Sequence, residues 1–598
     1  MEKYSGTYSK VNGAFVGTDD LGRQIKHEKV AKADHKRDVG IFYFQWIGEH
    51  GTNGPYDNSA IVEAHPEAIT SEEAWLASGG GKVSDHHFWG KPLFGYYRSS
   101  DEWVILKHLQ MLVDADIDFL VFDTTNAHTY QKRFEQLLKV WYEYLEKGVN
   151  VPKLVFYTNS ASGRTMDIIF DNIYCNKELR EKYPRIDELW YIHDGKPMII
   201  GVEAEASEII LDYFTFKEST WPNAGRTDNG FPWMEFDRLL TKDSVYGRNG
   251  RKEVMNVSVA QHSDTCRFSS VSWYKGNDRT RCWHNGANDK AEDAILWGYN
   301  FAEQWEYALK EDPEMIFVTG WNEWVAQRQP SNWIPDEPIF FVDCATYNGS
   351  RDVEPAACVF GDNYYMQMCE YIRRYKGTTP RVYVGDNLTI DVNGDFSQWD
   401  SDKITACYTD YADDTKDRNA PGFGTDVYTN TTGRNDFVSF KVAKDEEYIY
   451  FYAQTAKAIT PMTDNNWMTL FINTGKNAAN NWYGYDYAVN LEKPLNNSTA
   501  VLSKNVSSDE ADNGAAKEDR WLWEKAGEAL MKVDADKLML AVKLSDIGIV
   551  EGDLIDIQFK WADNYQMDEN GKYSINTFYI DGDSAPYGRL NYLYSEKA

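Results

Sequence analysis

The residues with the clearest capacity for chemistry stand in the segment 314–324, Glu-Met-Ile-Phe-Val-Thr-Gly-Trp-Asn-Glu-Trp. Its apolar run, Met315 to Val318, predicts a buried strand, and Glu323 follows between two tryptophans. A carboxylate beside indole rings is partly desolvated, so its protonation can be tuned for acid–base catalysis. We therefore predict that Glu323 is catalytic, the alternative being core tryptophans around a capping or salt-bridged glutamate. Indole faces also stack on sugar rings, so three neighbours are predicted to bind substrate: Trp321, Asn322 and Trp324.

The elements that would position Glu323 alternate along residues 39–378. Short, continuously apolar strands are separated by amphipathic helices about eight times, which predicts a parallel sheet covered by helices. No Gly-rich phosphate-binding turn follows the first strand, so an α/β fold of the (β/α)8 barrel type is favoured over an open, doubly wound sheet. The predicted strands are 39–46, 118–123, 153–157, 197–202, 212–216, 254–259, 315–318 and 339–342.

Helical periodicity almost disappears after residue 378. Residues 384–598 contain short alternating runs separated by Asn, Asp and Gly turns, a pattern typical of an antiparallel all-β sandwich. Residues 1–38 are polar and predict an N-terminal arm. The predicted organisation is an arm (1–38), a catalytic barrel (39–378) and a β-sandwich (384–598).

Barrel enzymes carry their chemistry at the carboxyl ends of the strands, and acids follow several of the predicted strands. Glu203 follows 197–202 and is the natural partner of Glu323 by position, whereas Asp123 is the rival partner. Each acid also fits a structural role as a salt bridge or helix cap. Paired carboxylates suit glycoside hydrolysis, in which one protonates the leaving oxygen and the other attacks or activates water.

Other strand-end residues predicted to contact substrate are Gln45, Trp46, Asn126 and His262. The loop 261–286 adds Arg267 and Trp283, within a cationic group that fits an anionic sugar or pairing with the acidic surface. No His, Cys or carboxylate spacing suggests a metal ligand set at the site, and no nucleophile-elbow motif appears. We therefore expect catalysis to require no cofactor.

Composition restricts the partners. The net charge of -31 argues against nucleic acid and against an anionic membrane surface. No apolar run is long enough to span a membrane. The 21 Trp and 39 Tyr suit a sugar-binding cleft as well as a large β-rich core. The first residues contain no apolar signal region, so either the protein is cytoplasmic or a leader has been removed. The aromatic, Asn-rich composition favours the second, and we expect an extracellular, periplasmic or cell-surface protein.

The segment 318–324, Val-Thr-Gly-Trp-Asn-Glu-Trp, resembles the strand-end motif of the endo-α-mannosidase-type barrels, glycoside hydrolase family 99 and its family-71-like relatives. Segments 340–343, 350–355 and 361–365 resemble the end of related bacterial barrels. The resemblance implies an endo-acting hydrolase of a polysaccharide or host glycan, with Glu323 in a catalytic role. In that family a second glutamate follows three residues later, where this chain has Ala326. The alternative is a non-catalytic glycan-binding protein on a degenerate barrel.

Residues 390–399 resemble the start of family-9-like carbohydrate-binding modules, which are DOMON-like sandwiches. Aromatic residues in 481–487 and 521–523 could then stack on sugar, the alternative being a purely structural domain. The Asp-rich loop Asp410 to Asp417 offers oxygen ligands for a structural Ca²⁺.

Overall fold

The computed structural model describes residues 15–26, 28–221, 225–235, 240–261, 271–274, 279–331, 336–342, 344–378, 385–476, 479–494, 496–507 and 516–597. Most strands belong to two large sheets. One is mainly parallel and lies within residues 38–319, and the other is antiparallel and combines residues 15–25 with residues 406–595.

The first sheet contains eight parallel strands: β1 (Asp38–Tyr43), β2 (Phe119–Thr124), β3 (Lys153–Thr158), β4 (Lys196–Gly201), β5 (Thr215–Thr220), β6 (Gly230–Pro232), β7 (Val254–Ser258) and β8 (Met315–Thr319). Their spatial order is β6-β5-β4-β3-β2-β1-β8-β7. β6 and β7 are the outermost of these eight parallel strands and follow one another among them along the chain. They approach each other where Nδ2 of Asn256 donates to the carbonyl of Trp233 at 2.8 Å. The sheet is therefore nearly barrel-shaped, and we call it the barrel-like sheet.

Its interior is filled by large side chains from opposite strands, including Phe42, Tyr157, Phe231 and Phe317. The hydroxyl of Tyr157 donates to the carbonyl of Phe231 at 2.9 Å across this interior. Continuously apolar strands are needed because one face meets this interior and the other meets helices.

The described helices are Asn58–Ala64, Glu72–Ala77, Glu102–Asp114, Gln131–Glu146, Ser162–Ile169, Lys177–Lys182, Glu208–Tyr213, Val271–Tyr274, Ala294–Trp297, Tyr299–Glu311, Asn363–Lys376 and Thr577–Ile580. Of the helices in the described part of the chain, none combines the length and apolarity needed to cross a membrane.

The strands differ from the sequence prediction at three places. Gly230–Pro232 forms β6, which was not predicted because three residues with Gly and Pro carry no strand pattern. The predicted strand 339–342 lies outside the barrel-like sheet, where Phe341 forms an isolated bridge with Arg328. The predicted strand 212–216 begins inside a helix, and β5 starts later, at Thr215. Consequently β8 is the eighth parallel strand and pairs directly with β1.

The antiparallel sheet contains, in spatial order, the strands Ala406–Thr409, Phe437–Lys444, Tyr448–Thr455, Lys537–Lys543, Trp523–Asp534, Thr499–Asn505, Tyr487–Val489, Thr469–Asn473, Asp556–Asp563, Asn591–Ser595, Phe15–Thr18 and Gln24–Ile25. A further strand, Asp583–Ala585, pairs with Asp556–Asp563. Phe15 lies opposite Tyr592, so part of the predicted N-terminal arm is built into this sheet.

Smaller strand pairs complete the described part of the fold. Val245–Tyr246 and Ile192–His193 pair antiparallel with β7 and β4. Three separate two-stranded ladders join His86–Phe88 to Val325–Gln327, Trp283–His284 to Ala287–Asn288, and Arg418–Pro421 to Val427–Asn430.

Candidate active site

A cavity of about 930 Å³ lies at the carboxyl ends of the parallel strands. Its described wall residues come from the ends of β1, β2, β3, β5, β6 and β8 and from the loops that follow them. They are Phe42, Phe44, Trp46, His50, His86, Asp123, Thr125, Asn126, His128, Tyr130, Asn159, Ser160, Trp221, Trp233, Glu323, Val325, Ala326, Gln327 and Val342. This is the end of a parallel barrel at which catalytic residues are found.

Asp123 lies near the end of β2 and faces this cavity. Nε1 of Trp46 donates to its Oδ2 at 3.0 Å. The backbone N–H and the hydroxyl of Thr125 donate to its Oδ1 at 3.0 and 2.7 Å. Three donors favour the charged form of a carboxylate and fix its orientation.

Glu323 follows β8 and faces the same cavity. Nη2 of Arg351 donates to its Oε2 at 2.8 Å, and both residues are at most 5% exposed. The Arg351 guanidinium also lies over the ring of Trp233, with its Cζ atom 5.3 Å from the ring centroid. A buried cation at this distance stabilises the ionised carboxylate.

The three neighbours of Glu323 do not line the cavity. Trp321 is fully buried, with its ring edge-on to His108, and Nε1 of Trp324 donates to Glu354 at 2.5 Å. The amide of Asn322 accepts from the Phe44 N–H at 2.9 Å and donates to the Phe44 carbonyl at 3.2 Å. All three were predicted to bind substrate. Instead, these contacts hold their side chains in the core.

The segment 351–354 runs beside the segment 320–324 and was not predicted to contribute to the site. The Gly320 N–H donates to the Arg351 carbonyl, and the Glu354 N–H donates to the Trp321 carbonyl. Asp352 accepts from Nε1 of Trp89 at 2.8 Å, and burial raises the pKa of Asp352 to about 7. The sequence does contain three charged residues within four positions, Arg351, Asp352 and Glu354, but it does not show that all three are buried.

Glu203 does not share the cavity with Glu323. Strand β4 ends at Gly201, and Glu203–Glu205 form a single 3₁₀ turn that leaves the Glu203 side chain exposed. Its nearest described cation is Arg248, with Nη2 3.7 Å from Oε2. The structure therefore places Asp123, and not Glu203, on the wall of the same cavity as Glu323.

Of the other residues predicted to contact substrate, some line the cavity and some lie elsewhere. Trp46 and Asn126 line the cavity. Gln45 is buried away from the wall, and Trp283 lies outside it beneath the guanidinium of Arg279, 4.9 Å from the ring centroid. Two more fall outside the described residues, His262 and Arg267.

One wall carries a cluster of imidazoles whose proximity was not predicted, although His50 and His86 lie in the long, His-rich loop after the first strand, where a site-forming role was expected. His50 stacks on His86 with ring centroids 5.7 Å apart and meets the edge of His128 at 5.5 Å. Nε2 of His50 forms a 2.7 Å hydrogen bond with the hydroxyl of Tyr130. Burial lowers the pKa of His86 to about 4 and also lowers that of His50. Both rings are therefore neutral at pH 7 and can exchange hydrogen bonds with hydroxyl groups.

Two groups of described His, Asp and Glu side chains are close enough to share a metal ion: His193–Asp194–Glu253 and Asp414–Asp436–Asp583. Neither group lines the cavity. Glu323 and Asp123, two carboxylates on one cavity wall, are of the type that carries out acid–base chemistry.

No protein-family model and no curated protein matches this chain. Among solved structures, the chain is similar to a GH99 endo-alpha-mannosidase from Bacteroides thetaiotaomicron in complex with BIS-TRIS-propane. That match has 14% identity and a TM-score of 0.33 and covers 58% of this chain and 98% of the other. A second structure of a GH99 endo-alpha-mannosidase from the same organism gives 12% identity and a TM-score of 0.32, covering 58% of this chain and all of the other. Similarity at this level assigns neither a family nor a substrate.

Proposed function

We propose that this protein is a glycoside hydrolase that cleaves an O-glycosyl bond within a polysaccharide or host glycan, on a (β/α)8 barrel followed by a β-sandwich. The observation that carries the proposal is the position of Glu323 and Asp123, two carboxylates on the wall of one cavity at the carboxyl ends of parallel strands. Paired carboxylates at this position are the equipment of glycosidases.

In the proposed reaction, Glu323 is the nucleophile or the base, because its pairing with Arg351 keeps it charged. It attacks the anomeric carbon or removes a proton from the attacking water. Asp123 supplies the proton to the leaving oxygen as the glycosidic bond breaks. Bound substrate would exclude water from Asp123, and we propose that this desolvation favours its neutral, proton-donating form over the charged form that its three donors favour.

The wall supports a neutral sugar as the substrate. Aromatic rings, amides and neutral imidazoles suit sugar faces and hydroxyls, and the described wall residues include no Arg or Lys. An anionic sugar is less well supported, because Arg281 of the cationic loop is fully buried and donates to Ser350 and to the Asp352 carbonyl. The volume of about 930 Å³ is near the upper end of ordinary ligand sites, which fits several sugar units and endo action.

We assign the β-sandwich a supporting role. Its proposed stacking residues pack on one another, with Trp482 fully buried and its ring 4.5 Å from that of Trp521. Trp521 in turn lies 4.2 Å from Tyr573. The aromatic and Asn-rich composition supports an extracellular, periplasmic or cell-surface location as part of the proposal.

The test is hydrolysis of a panel of neutral polysaccharides and glycoprotein glycans by wild-type protein, Glu323→Gln and Asp123→Asn. We expect each variant to lower kcat/KM by about 10²–10⁴, the usual contribution of a catalytic acid or base. Glu203→Gln is the matched control and should retain activity, because this glutamate lies outside the cavity. Unchanged hydrolysis by Glu323→Gln would refute the assignment. NMR then identifies which anomer is released first, and this distinguishes a retaining from an inverting mechanism.

A second candidate is a glycan-binding protein without hydrolase activity. Two observations favour it: Ala326 stands on the cavity wall where the related motif has a second glutamate, and Arg351 already neutralises Glu323. This candidate predicts that wild-type protein cleaves nothing in the panel yet binds some of its members. Trp46→Ala would then weaken glycan binding, and neither this variant nor the wild type would cleave the glycans.

A further inference from the structure

Four buried aspartates meet where the antiparallel sheet packs against the helix Glu102–Asp114. They come from different parts of the chain and are at most 9% exposed: Asp410, Asp414, Asp436 and Asp583. Carboxylate oxygens of the last three all lie within 4.8 Å of one another. The charge of Asp410 interacts with those of Asp414 and Asp436, so it belongs to the same cluster.

Three carboxylate oxygens of this cluster have no hydrogen-bond partner, although they are buried: Oδ2 of Asp410, Oδ1 of Asp414 and Oδ1 of Asp436. Protein donors hold other oxygens of the cluster. The Asp413 N–H donates to Oδ2 of Asp436 at 2.8 Å, and the Phe437 N–H donates to Oδ2 of Asp583 at 2.7 Å. Buried carboxylate oxygens without a donor are rare in folded proteins, so the orphan oxygens require an explanation.

The neighbouring cations do not balance the cluster. Nζ of Lys107 is 3.9 Å from Oδ2 of Asp414, and the fully buried Lys560 donates to the Pro586 carbonyl. Burial lowers the pKa of Lys560 to about 7. Burial and the neighbouring negative charges raise the pKa of Asp436 to about 8 and that of Asp583 well above its usual range.

We propose that Asp410, Asp414, Asp436 and Asp583 form a structural calcium site. Calcium takes six to eight oxygen ligands at about 2.3–2.6 Å, so oxygens on opposite sides of the ion are roughly 4.6–5.2 Å apart. Oxygens of Asp414, Asp436 and Asp583 lie within 4.8 Å of one another, close enough to surround one such ion. A set made only of carboxylates selects a hard cation and not zinc or copper.

The other close group, His193–Asp194–Glu253, does not share these properties. Glu253 is paired with Lys217, and Asp194 is paired with Arg251 at 2.9 Å. Its carboxylates therefore already have cations, whereas the aspartate cluster has orphan oxygens.

A calcium ion in this cluster would join the loop 410–414 to the starts of two strands, Phe437–Lys444 and Asp583–Ala585. The loop is in turn attached to the barrel-like sheet, because Nε2 of Gln110 in the helix Glu102–Asp114 donates to Oδ2 of Asp414. The ion would thus fix the antiparallel sheet against the barrel-like sheet. This role is independent of the proposed hydrolase activity.

The test uses the full-length protein after treatment with EDTA and buffer exchange. We expect one calcium per chain by elemental analysis after reloading. We also expect Tm to rise by about 2 °C when calcium is in hundredfold excess over its Kd. Magnesium should give a smaller rise, because it demands a tighter octahedral shell.

Asp436→Asn and Asp583→Asn should abolish the calcium response while leaving Tm in EDTA nearly unchanged, because the raised pKa values keep both aspartates largely uncharged without the ion and asparagine is uncharged as well. The exposed Asp402→Asn is the control and should respond as wild type does. If Asp583→Asn fails to fold, Asp436→Asn and direct calcium binding by wild type still decide the question. Absence of bound calcium in wild type, or an equal Tm rise in Asp436→Asn, overturns the proposal.

Discussion

At the scale of single residues, Glu323 depends on a cation from a distant part of the sequence. Arg351 reaches it through a 2.8 Å hydrogen bond, and the Gly320 N–H bonded to the Arg351 carbonyl holds the two segments side by side. The carboxylate is thus paired with a cation and held in place by the protein. Such pre-organisation is a usual source of catalytic power.

Arg351→Gln should destabilise the protein by roughly 3 kcal/mol or more, because it leaves the buried Glu323 charge without this guanidinium. Urea denaturation measures the change. Arg248→Gln is the matched control, since Arg248 is half-exposed and 3.7 Å from Glu203, and it should cost less than about 1 kcal/mol. Equal losses in the two variants would contradict a special role for the Arg351–Glu323 pair.

At the scale of elements, the long loop between β1 and the helix Glu102–Asp114 forms part of the cavity. Its strand His86–Phe88 pairs antiparallel with Val325–Gln327, the strand that follows Glu323. Phe88 is anchored beneath it by Phe423, with ring centroids 4.7 Å apart. This pairing places His86 on the wall and makes the loop a fixed part of the site.

The position of His86 predicts how stability changes with pH. Burial and nearby His50 lower the pKa of His86 to about 4 from its ordinary 6.5, against a smaller opposing effect of Asp85. The neutral ring therefore stabilises the fold fully above pH 6.5, and this contribution is lost as the pH falls towards 4. Between pH 7.5 and 4.5 the loss amounts to roughly 2–3 kcal/mol.

Urea denaturation of His86→Gln at the two pH values should show a smaller acid-induced loss than wild type by that amount. His65→Gln serves as the control, because His65 is exposed, and it should follow the wild-type profile. If His86→Gln and wild type lose stability in parallel, the ring is not held neutral by the fold.

At the scale of the whole molecule, the hairpin of Arg418–Pro421 and Val427–Asn430 supports the site-forming loop although it lies outside the cavity. Arg418 donates to Oδ2 of Asp101 at 2.8 Å, and Asp101 also caps the helix Glu102–Asp114. The same guanidinium donates to the Phe94 carbonyl and lies over the rings of Trp103 and Tyr428. A single side chain thus links the separate hairpin of Arg418–Pro421 and Val427–Asn430 to a helix start and to the site-forming loop.

Arg418→Ala should lower the free energy of unfolding by about 3 kcal/mol or more, because it leaves Asp101 buried without its cation and removes the ring contacts. Lys543→Ala is the control. Its pair with Glu447 is exposed, so its loss should cost less than about 1 kcal/mol. Denaturation of both variants measures the difference, and a cost for Arg418→Ala as small as the control would show that this contact does not support the fold.

The sequence alone predicted the parallel strands, the antiparallel C-terminal region, and Glu323 and Asp123 as strand-end acids. Those features follow from local patterns: continuous apolar runs require burial on both faces, and alternation requires one buried face. It missed β6 because three residues carry no periodicity. It also assigned sugar contacts to Trp321 and Trp324, because residue type does not show whether an indole faces a cavity or a core.

Only the tertiary structure decided which carboxylate accompanies Glu323. Glu203 lies in a 3₁₀ turn after the end of β4, and its side chain is exposed. In contrast, hydrogen bonds from Trp46 and Thr125 hold Asp123 on the cavity wall. The structure likewise brought Arg351 to Glu323 and gathered His50, His86 and His128 on one wall. These choices depend on contacts between segments far apart in the chain and on side-chain directions after strand ends, which no local pattern encodes.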